Sequence, residues 1–293
     1  MLGCAGLLAL KASQFLFFYS VRDHLLEYRE YAVILSTDLL LQGLNPYSIE
    51  LQPVAMNVYG IVYNVIVLPF AMVFGSSPAV HRIVSSFFIF ATCGCLFWGL
   101  RASRVSWSMS AVGAITLFAF LATGFSIVSR PDSLGQFFML AGIVVPFVFR
   151  YRPTGLALSV LLSMLGFLTK PYFILGAPFL AAYLFVFESK IKGLLYSLAV
   201  SLCLVLLIPL MHAMCETWLT NAIFNHFNNA VSGQYESVTH LRTQLWYHIQ
   251  TLLGFIIALF WGIGYRAGSV QRTSKDSGSP LFNLRDLKQP LLS

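Results

Sequence analysis

Apolar runs of close to twenty residues recur along this chain, separated by short polar joints, and that pattern leaves few folds open. A helix needs roughly 20 residues to cross about 30 Å of hydrocarbon. The runs lie at residues 2–19, 54–75, 79–100, 105–127, 133–149, 154–169, 172–187, 193–213 and 245–264. In lipid every backbone amide must find its partner inside its own segment, so each run is expected to be a helix. With 58% hydrophobic and 10% charged residues, the joints leave no room for a separate soluble domain. The expected fold class is all-α: a polytopic transmembrane bundle of about 8–10 spans over residues 1–266. Its first loop is expected to carry short interfacial helices. Residues 267–293 lose the periodicity, gain Ser, Pro and Lys, and read as a polar, disordered tail.

The first segment, MLGCAGLLALKASQFLFFYS, reads as a transmembrane helix rather than a signal peptide. No basic region precedes its apolar stretch, Lys11 interrupts it, and Ala-Ser-Gln is a poor cleavage site. The five cysteines (Cys4, Cys93, Cys95, Cys203 and Cys215) lie in or beside expected spans without zinc spacing, and Cys93-Gly-Cys95 reads as packing.

The net charge of +7 is carried at helix ends. Arg101 and Arg104, Arg150 and Arg152, and Lys190 and Lys192 fall at alternate joints, followed by Arg266, Arg272 and Lys275. The positive-inside rule assigns these joints to the cytoplasm and the other joints to the far side. Those others carry SRPD (129–132), TKPY (169–172) and the segment 213–243. Simple crossings throughout would put the loop 20–53 on the basic side, away from SRPD and TKPY. One segment between 54 and 128 is therefore expected not to cross simply, either 105–128 or the Pro69-containing 54–75.

That first loop holds five of the eleven acidic residues: Asp23, Glu27, Glu30, Asp38 and Glu50. Asp23, Glu27 and Glu30 are spaced to share one face of a helix. The run AVILSTDLLLQG is short and amphipathic and suits an interfacial helix, ended by Gly43 and turned by Asn45-Pro46-Tyr47. Two readings stay open for the carboxylates: a solvated acidic face, or a general base over a membrane-facing cleft.

In Ser129-Arg130-Pro131-Asp132, Pro131 suits a first helical turn and Asp132 complements the helix N-terminus. Arg130 can snorkel to headgroups or hold a phosphate. Lys170, between two apolar runs, can cap a span or pair with a phosphate. Residues 221–240 are rich in hydrogen-bonding groups, including His226 and His240, but match no metal-ligand spacing. No glycine-rich phosphate loop occurs, and nothing points to nucleic acid.

Taken in order, several motifs carry a resemblance. They are Glu27/Glu30, QGLNPYS (42–48), VYGIVYNVIVLPFAMVFGSS (58–77), Arg82, SRPDSLGQFFMLAG (129–142) and FLTKPYFILGAPFLAAYLF (167–185). The chain resembles, over roughly residues 15–240, the GT-C membrane glycosyltransferases, notably the bacterial relatives of protein O-mannosyltransferases and lipid A sugar transferases. It is shorter than members of that family and reads as a C-terminally truncated or minimal member.

The resemblance implies transfer of a sugar, hexosyl or pentosyl, from a polyprenyl-phosphate carrier to a lipid, glycan or protein hydroxyl. The site would face the extracytoplasmic side of the cell membrane. It implies a first-loop carboxylate as base or acceptor-orienting group, with Glu30 favoured, Glu27 next and Asp38 behind them. Arg130 and Lys170 would hold phosphate, and Asp132 would orient Arg130 or the acceptor. Tyr172, Tyr59, Tyr63, Asn45, Tyr47 and His226 complete the expected binding set. No cofactor is expected, a divalent metal being the remote exception. A non-catalytic membrane scaffold or assembly subunit is the alternative, and a transporter a more distant one.

Overall fold

The computed structural model describes residues 2–22, 24–123 and 129–224. The expected span 245–264, the tail, His226 and His240 lie outside the described residues. The regular structure among those described is all helical, without a strand. The helices are α1 (Leu2–Ser20), α2 (Tyr28–Leu41), α3 (Val62–Phe74), α4 (Pro78–Ala102), α5 (Trp107–Thr123), α6 (Asp132–Val148), α7 (Pro153–Thr169), α8 (Gly176–Tyr183) and α9 (Lys190–Met214). A tight turn at Pro171–Leu175 leads into α8, and a widened turn at Leu184–Glu188 follows it. Three stretches are long and apolar enough to cross a membrane: Pro78–Ala102, Pro171–Glu188 and Lys190–Met214.

Local signals set the helix starts. Ser77 caps α4 with its hydroxyl on the Val80 amide, and Pro78 occupies the first turn. Pro153 opens α7, and Ser189 caps α9 through the Lys192 amide. Gly43 adopts φ +74° just past α2. The Leu44 and Gly43 amides then bond the Leu39 and Leu40 carbonyls, closing the helix as a Schellman motif.

The core forms where helices pack side by side. Ala12 and Leu16 of α1 meet Ile89 and Cys93 of α4 and Phe118 and Ala122 of α5. Val33 of α2 packs with Tyr63 and Val67 of α3, Val84 of α4 and Phe138 of α6. Cys93, Cys95 and Cys215 are buried free thiols, as packing requires. The outer face of α9 is the opposite case, with Leu194, Leu195, Leu198, Leu202, Val205 and Leu206 all exposed. An apolar helix face presented outward along its length suits hydrocarbon as solvent.

The expected span 54–75 is corrected. Only Val62–Phe74 is helical, and 13 residues reach about 20 Å at ~1.5 Å each, short of a bilayer core. Residues before it run irregularly because buried polar groups hold them. Asn57 Nδ2 donates to Ser36 Oγ (2.9 Å), and Asn57 Oδ1 accepts from the Tyr59 amide (2.9 Å). The Gly60 amide bonds the Thr169 carbonyl at 3.0 Å. A β-carbon on Gly60 would overlap the Leu168 carbonyl, so only glycine permits this approach to the end of α7.

Both ends of α3 are tied to one layer. Near its start, Tyr63 Oη donates to the His81 carbonyl (2.9 Å), and Asn64 Nδ2 donates to the Val33 carbonyl (2.6 Å) and Thr37 Oγ1 (2.9 Å). Past its end, Ser76 Oγ bonds the Ile34 carbonyl at 3.4 Å. The helix therefore returns to the layer it left. This removes the conflict in charge placement. Loop 20–53, Ser129–Asp132, Lys170 and residues 214–217 share one end of the bundle. Asn45 Nδ2 bonds the Met214 carbonyl (2.7 Å) there, and the Thr217 amide bonds the Tyr47 carbonyl (3.1 Å). The joints bearing Arg101/Arg104, Arg150/Arg152 and Lys190/Lys192 follow helices that lead away from that end.

Two outcomes are expected. In a cysteine-free background, Glu50→Cys and Ser76→Cys label with an impermeant maleimide from one side of sealed vesicles, and Ser103→Cys labels from the other. Gly60→Ala lowers the midpoint of thermal unfolding in detergent, because the overlap forces the chain off α7.

Candidate functional site

At the polar end, four chain segments bring seven charged groups together. The innermost element is a buried ion pair. Glu30 and Arg82 have fully buried side chains. Arg82 Nε and Nη2 donate to Glu30 Oε1 (2.9 Å) and Oε2 (2.6 Å), a fork-on-fork arrangement. The remaining guanidinium protons reach the Tyr19 (3.3 Å), Arg22 (2.7 Å) and His24 (2.8 Å) carbonyls. Glu30 also accepts from the Leu26 (2.6 Å), Glu27 (3.3 Å) and Ser129 (2.6 Å) amides.

The reason lies in the start of α2. Glu27 is its N-cap and Glu30 its third residue, so the Glu30 carboxylate turns back to the cap amides. The helix begins at Tyr28, so Glu27 caps it rather than sharing a helical face with Glu30, which corrects that expectation; Asp23 lies outside the described residues. Burial would raise the Glu30 carboxyl, but Arg82 and the Ser129 and Leu26 amides outweigh it and bring the group down to about 2. At neutral pH Glu30 is an ionised anchor with no room to take up a proton.

An outer chain of alternating charge lies beside this pair. Glu27 Oε2 bonds Arg130 Nη1 at 2.6 Å, and Glu27 Oε1 lies 3.6 Å from Arg29. Arg130 Nε lies 3.1 Å from Asp132 Oδ2, an ion pair without hydrogen-bond alignment. Asp132 Oδ1 accepts from Lys170 Nζ and Tyr172 Oη, each at 2.8 Å. The side chains of Glu27, Arg130, Asp132 and Lys170 keep 11–18% of their surface exposed, against none for Glu30 and Arg82.

The Tyr59 ring lies beneath both cations, 5.6 Å from the Arg130 guanidinium and 5.0 Å from Lys170 Nζ. Burial pushes the Tyr59 hydroxyl up to about 12, so the ring stays neutral. Burial also lowers the Lys170 ammonium from its ordinary range, and Asp132 offsets this only in part.

The other expected binding residues sit deeper. Tyr63 is fully buried beneath the Arg82 layer, bonded to His81 and Ser85. Tyr47 is fully buried and donates to the Tyr59 carbonyl at 2.6 Å. Asn45 ties the loop to Met214 while its Oδ1 accepts from the Tyr47 amide. The Asn-Pro-Tyr turn thus holds the ledge that carries Tyr59. Asp38 lies one turn from the C-terminal end of α2. Among the described residues no group of three His, Cys, Asp or Glu side chains is placed to hold a metal.

Sequence reasoning gave Arg82 no partner. The signal was present, since Arg82 is the one charged residue between 79 and 100, and a lone charge in an apolar helix needs an opposite one. No family model, curated protein or solved structure is similar to the chain.

Glu30→Gln is expected to cost about 3–5 kcal/mol, because Arg82 stays buried without its counter-charge. The folded pKa lies below the ordinary 4.5. The Glu30 contribution is therefore full above about pH 4.5 and is lost as the pH falls toward 2. Thermal unfolding of the detergent-solubilised protein should show that acid loss in the wild type and a smaller one in the variant.

Proposed function

We propose that the protein is a polytopic membrane glycosyltransferase that takes a sugar from a polyprenyl-phosphate carrier and passes it to a lipid, glycan or protein hydroxyl. One observation carries the reading: the Glu27–Arg130–Asp132–Lys170 chain, assembled from three segments at the end of the bundle opposite the basic joints. The motif order described above adds to it. By the positive-inside rule this end is extracytoplasmic, where a polyprenyl-linked donor presents its sugar.

The chemistry asks for two functions. The acceptor hydroxyl needs a carboxylate within hydrogen-bond reach to take its proton as it attacks the anomeric carbon. The departing phosphate needs fixed cations, since its charge grows as the glycosidic bond breaks. Glu27 is the carboxylate available for the first task, because Glu30 is committed to Arg82. Arg130 and Lys170 serve the second, supported on the Tyr59 ring. Asp132 positions both cations. The proton leaves the acceptor for Glu27, the electron pair of the broken bond stays on the phosphate oxygen, and the carrier departs as polyprenyl phosphate.

The test is turnover of a short-chain polyprenyl-phosphate hexose or pentose by the protein reconstituted in liposomes, followed as released polyprenyl phosphate. Glu27→Gln should lower kcat by about 100-fold or more. Arg130→Ala and Lys170→Ala should also lower it. Failure of the wild type to turn over any such donor or transfer to any acceptor would move the assignment to a membrane scaffold or assembly subunit.

A further inference from the structure

Both cations assigned to phosphate are already neutralised. Arg130 holds Glu27 and Asp132, and Lys170 holds Asp132 at 2.8 Å. An anion cannot add to this row without displacing one of its carboxylates, because like charges at contact distance repel. The two carboxylates differ in how firmly they are held. Asp132 is the first residue of α6, where the helix N-terminus favours its charge. It takes two 2.8 Å bonds on Oδ1 and the guanidinium on Oδ2.

Glu27 has one short bond, to Arg130, the longer 3.6 Å contact with Arg29, and the capping-box contact with the Glu30 amide. It caps α2 from outside the helix and has one strong charged partner where Asp132 has two, and Arg29 is itself 45% exposed. Glu27 is thus the carboxylate that an incoming anion displaces more readily, and Arg29 is the cation toward which it can swing.

We propose that the site works by anion exchange: the phosphate of the bound carrier takes the place of Glu27 on Arg130, and Glu27 is released to act on the acceptor only while the carrier is bound. This rests on the glycosyltransferase reading for the identity of the anion. A sugar phosphodiester carries one negative charge, as does Glu27, so the row keeps its charge through the exchange. Without a carrier, Glu27 stays paired with Arg130 and is not presented to an acceptor hydroxyl. After transfer the phosphate becomes a monoester with charge nearer −2, and Glu27 carries the acceptor's proton; Glu27 regains its charge, and can again pair with Arg130, only when that proton passes to water.

The experiment measures binding rather than turnover. Farnesyl phosphate is titrated into the detergent-solubilised protein, with farnesol as the uncharged control. Glu27→Gln and Glu27→Asn remove the competing charge, and Asn keeps a favourable helix cap. Both are expected to bind farnesyl phosphate about tenfold tighter than the wild type, and Arg130→Ala is expected to bind it at least about tenfold more weakly. Farnesol should bind all four proteins alike. Unchanged or weaker binding by the Glu27 variants, or no binding by any of them, overturns the exchange. Turnover separates the two proposals. A wild type that transfers sugar while its Glu27 variants bind no tighter keeps the glycosyltransferase reading and discards the exchange. Tighter binding by those variants without any transfer keeps the exchange and discards the reaction.

Discussion

The Glu30–Arg82 pair is the contact on which the polar end of the molecule depends. Its two side chains touch the end of α1, the loop after it, the starts of α2 and α4, and Ser129. A buried ion pair gains little net stability, since removing both charges from water costs about what their attraction returns. What it supplies is specificity of position. Five guanidinium protons and two carboxylate oxygens all find partners, so an arrangement that shifts one segment strands a charge. Arg130 and Asp132 follow Ser129 directly and are therefore placed by the same pair.

Hydrogen bonding adds to short length in tying α3 to one layer. Its sequence is as apolar as that of a crossing helix, and its Pro69 is tolerated inside it. Asn57 and Asn64 nevertheless spend their amides on Ser36, Thr37 and the α2 backbone. A crossing α3 would carry those amides into lipid without partners, which costs several kcal/mol each in a medium that cannot bond them.

The periodic apolar runs made the helices legible from sequence alone, and the charge conflict at loop 20–53 pointed to two segments, 54–75 and 105–128, of which the first holds the 13-residue α3. The spacing of Glu27 and Glu30 misled, because helical periodicity says nothing about where a helix starts. A Glu three residues after a cap is as well suited to turning back on the cap as to projecting outward. The Glu30–Arg82 and Glu27–Arg130 pairings were not legible, because contacts 52 and 103 residues apart depend on which helix ends meet. The Asn45 and Tyr47 roles were hidden for the same reason, since their partners arrive from the end of α9 and from the irregular segment before α3.

Glu27 and Glu30 show how one helix start yields two different carboxylates. They are three residues apart, and a single turn separates a group sealed with Arg82 from one at the rim with Arg130. Burial gives the inner carboxylate a fixed charge and a fixed place, at the cost of any exchange with solvent or ligand. The outer one keeps some exposure and pairs with Arg130 at the rim. The rigid pair thus holds the backbone from which the outer one projects, and with it Ser129–Asp132. The proposed chemistry would require that division, because a base that also served as the anchor would loosen the site each time it moved.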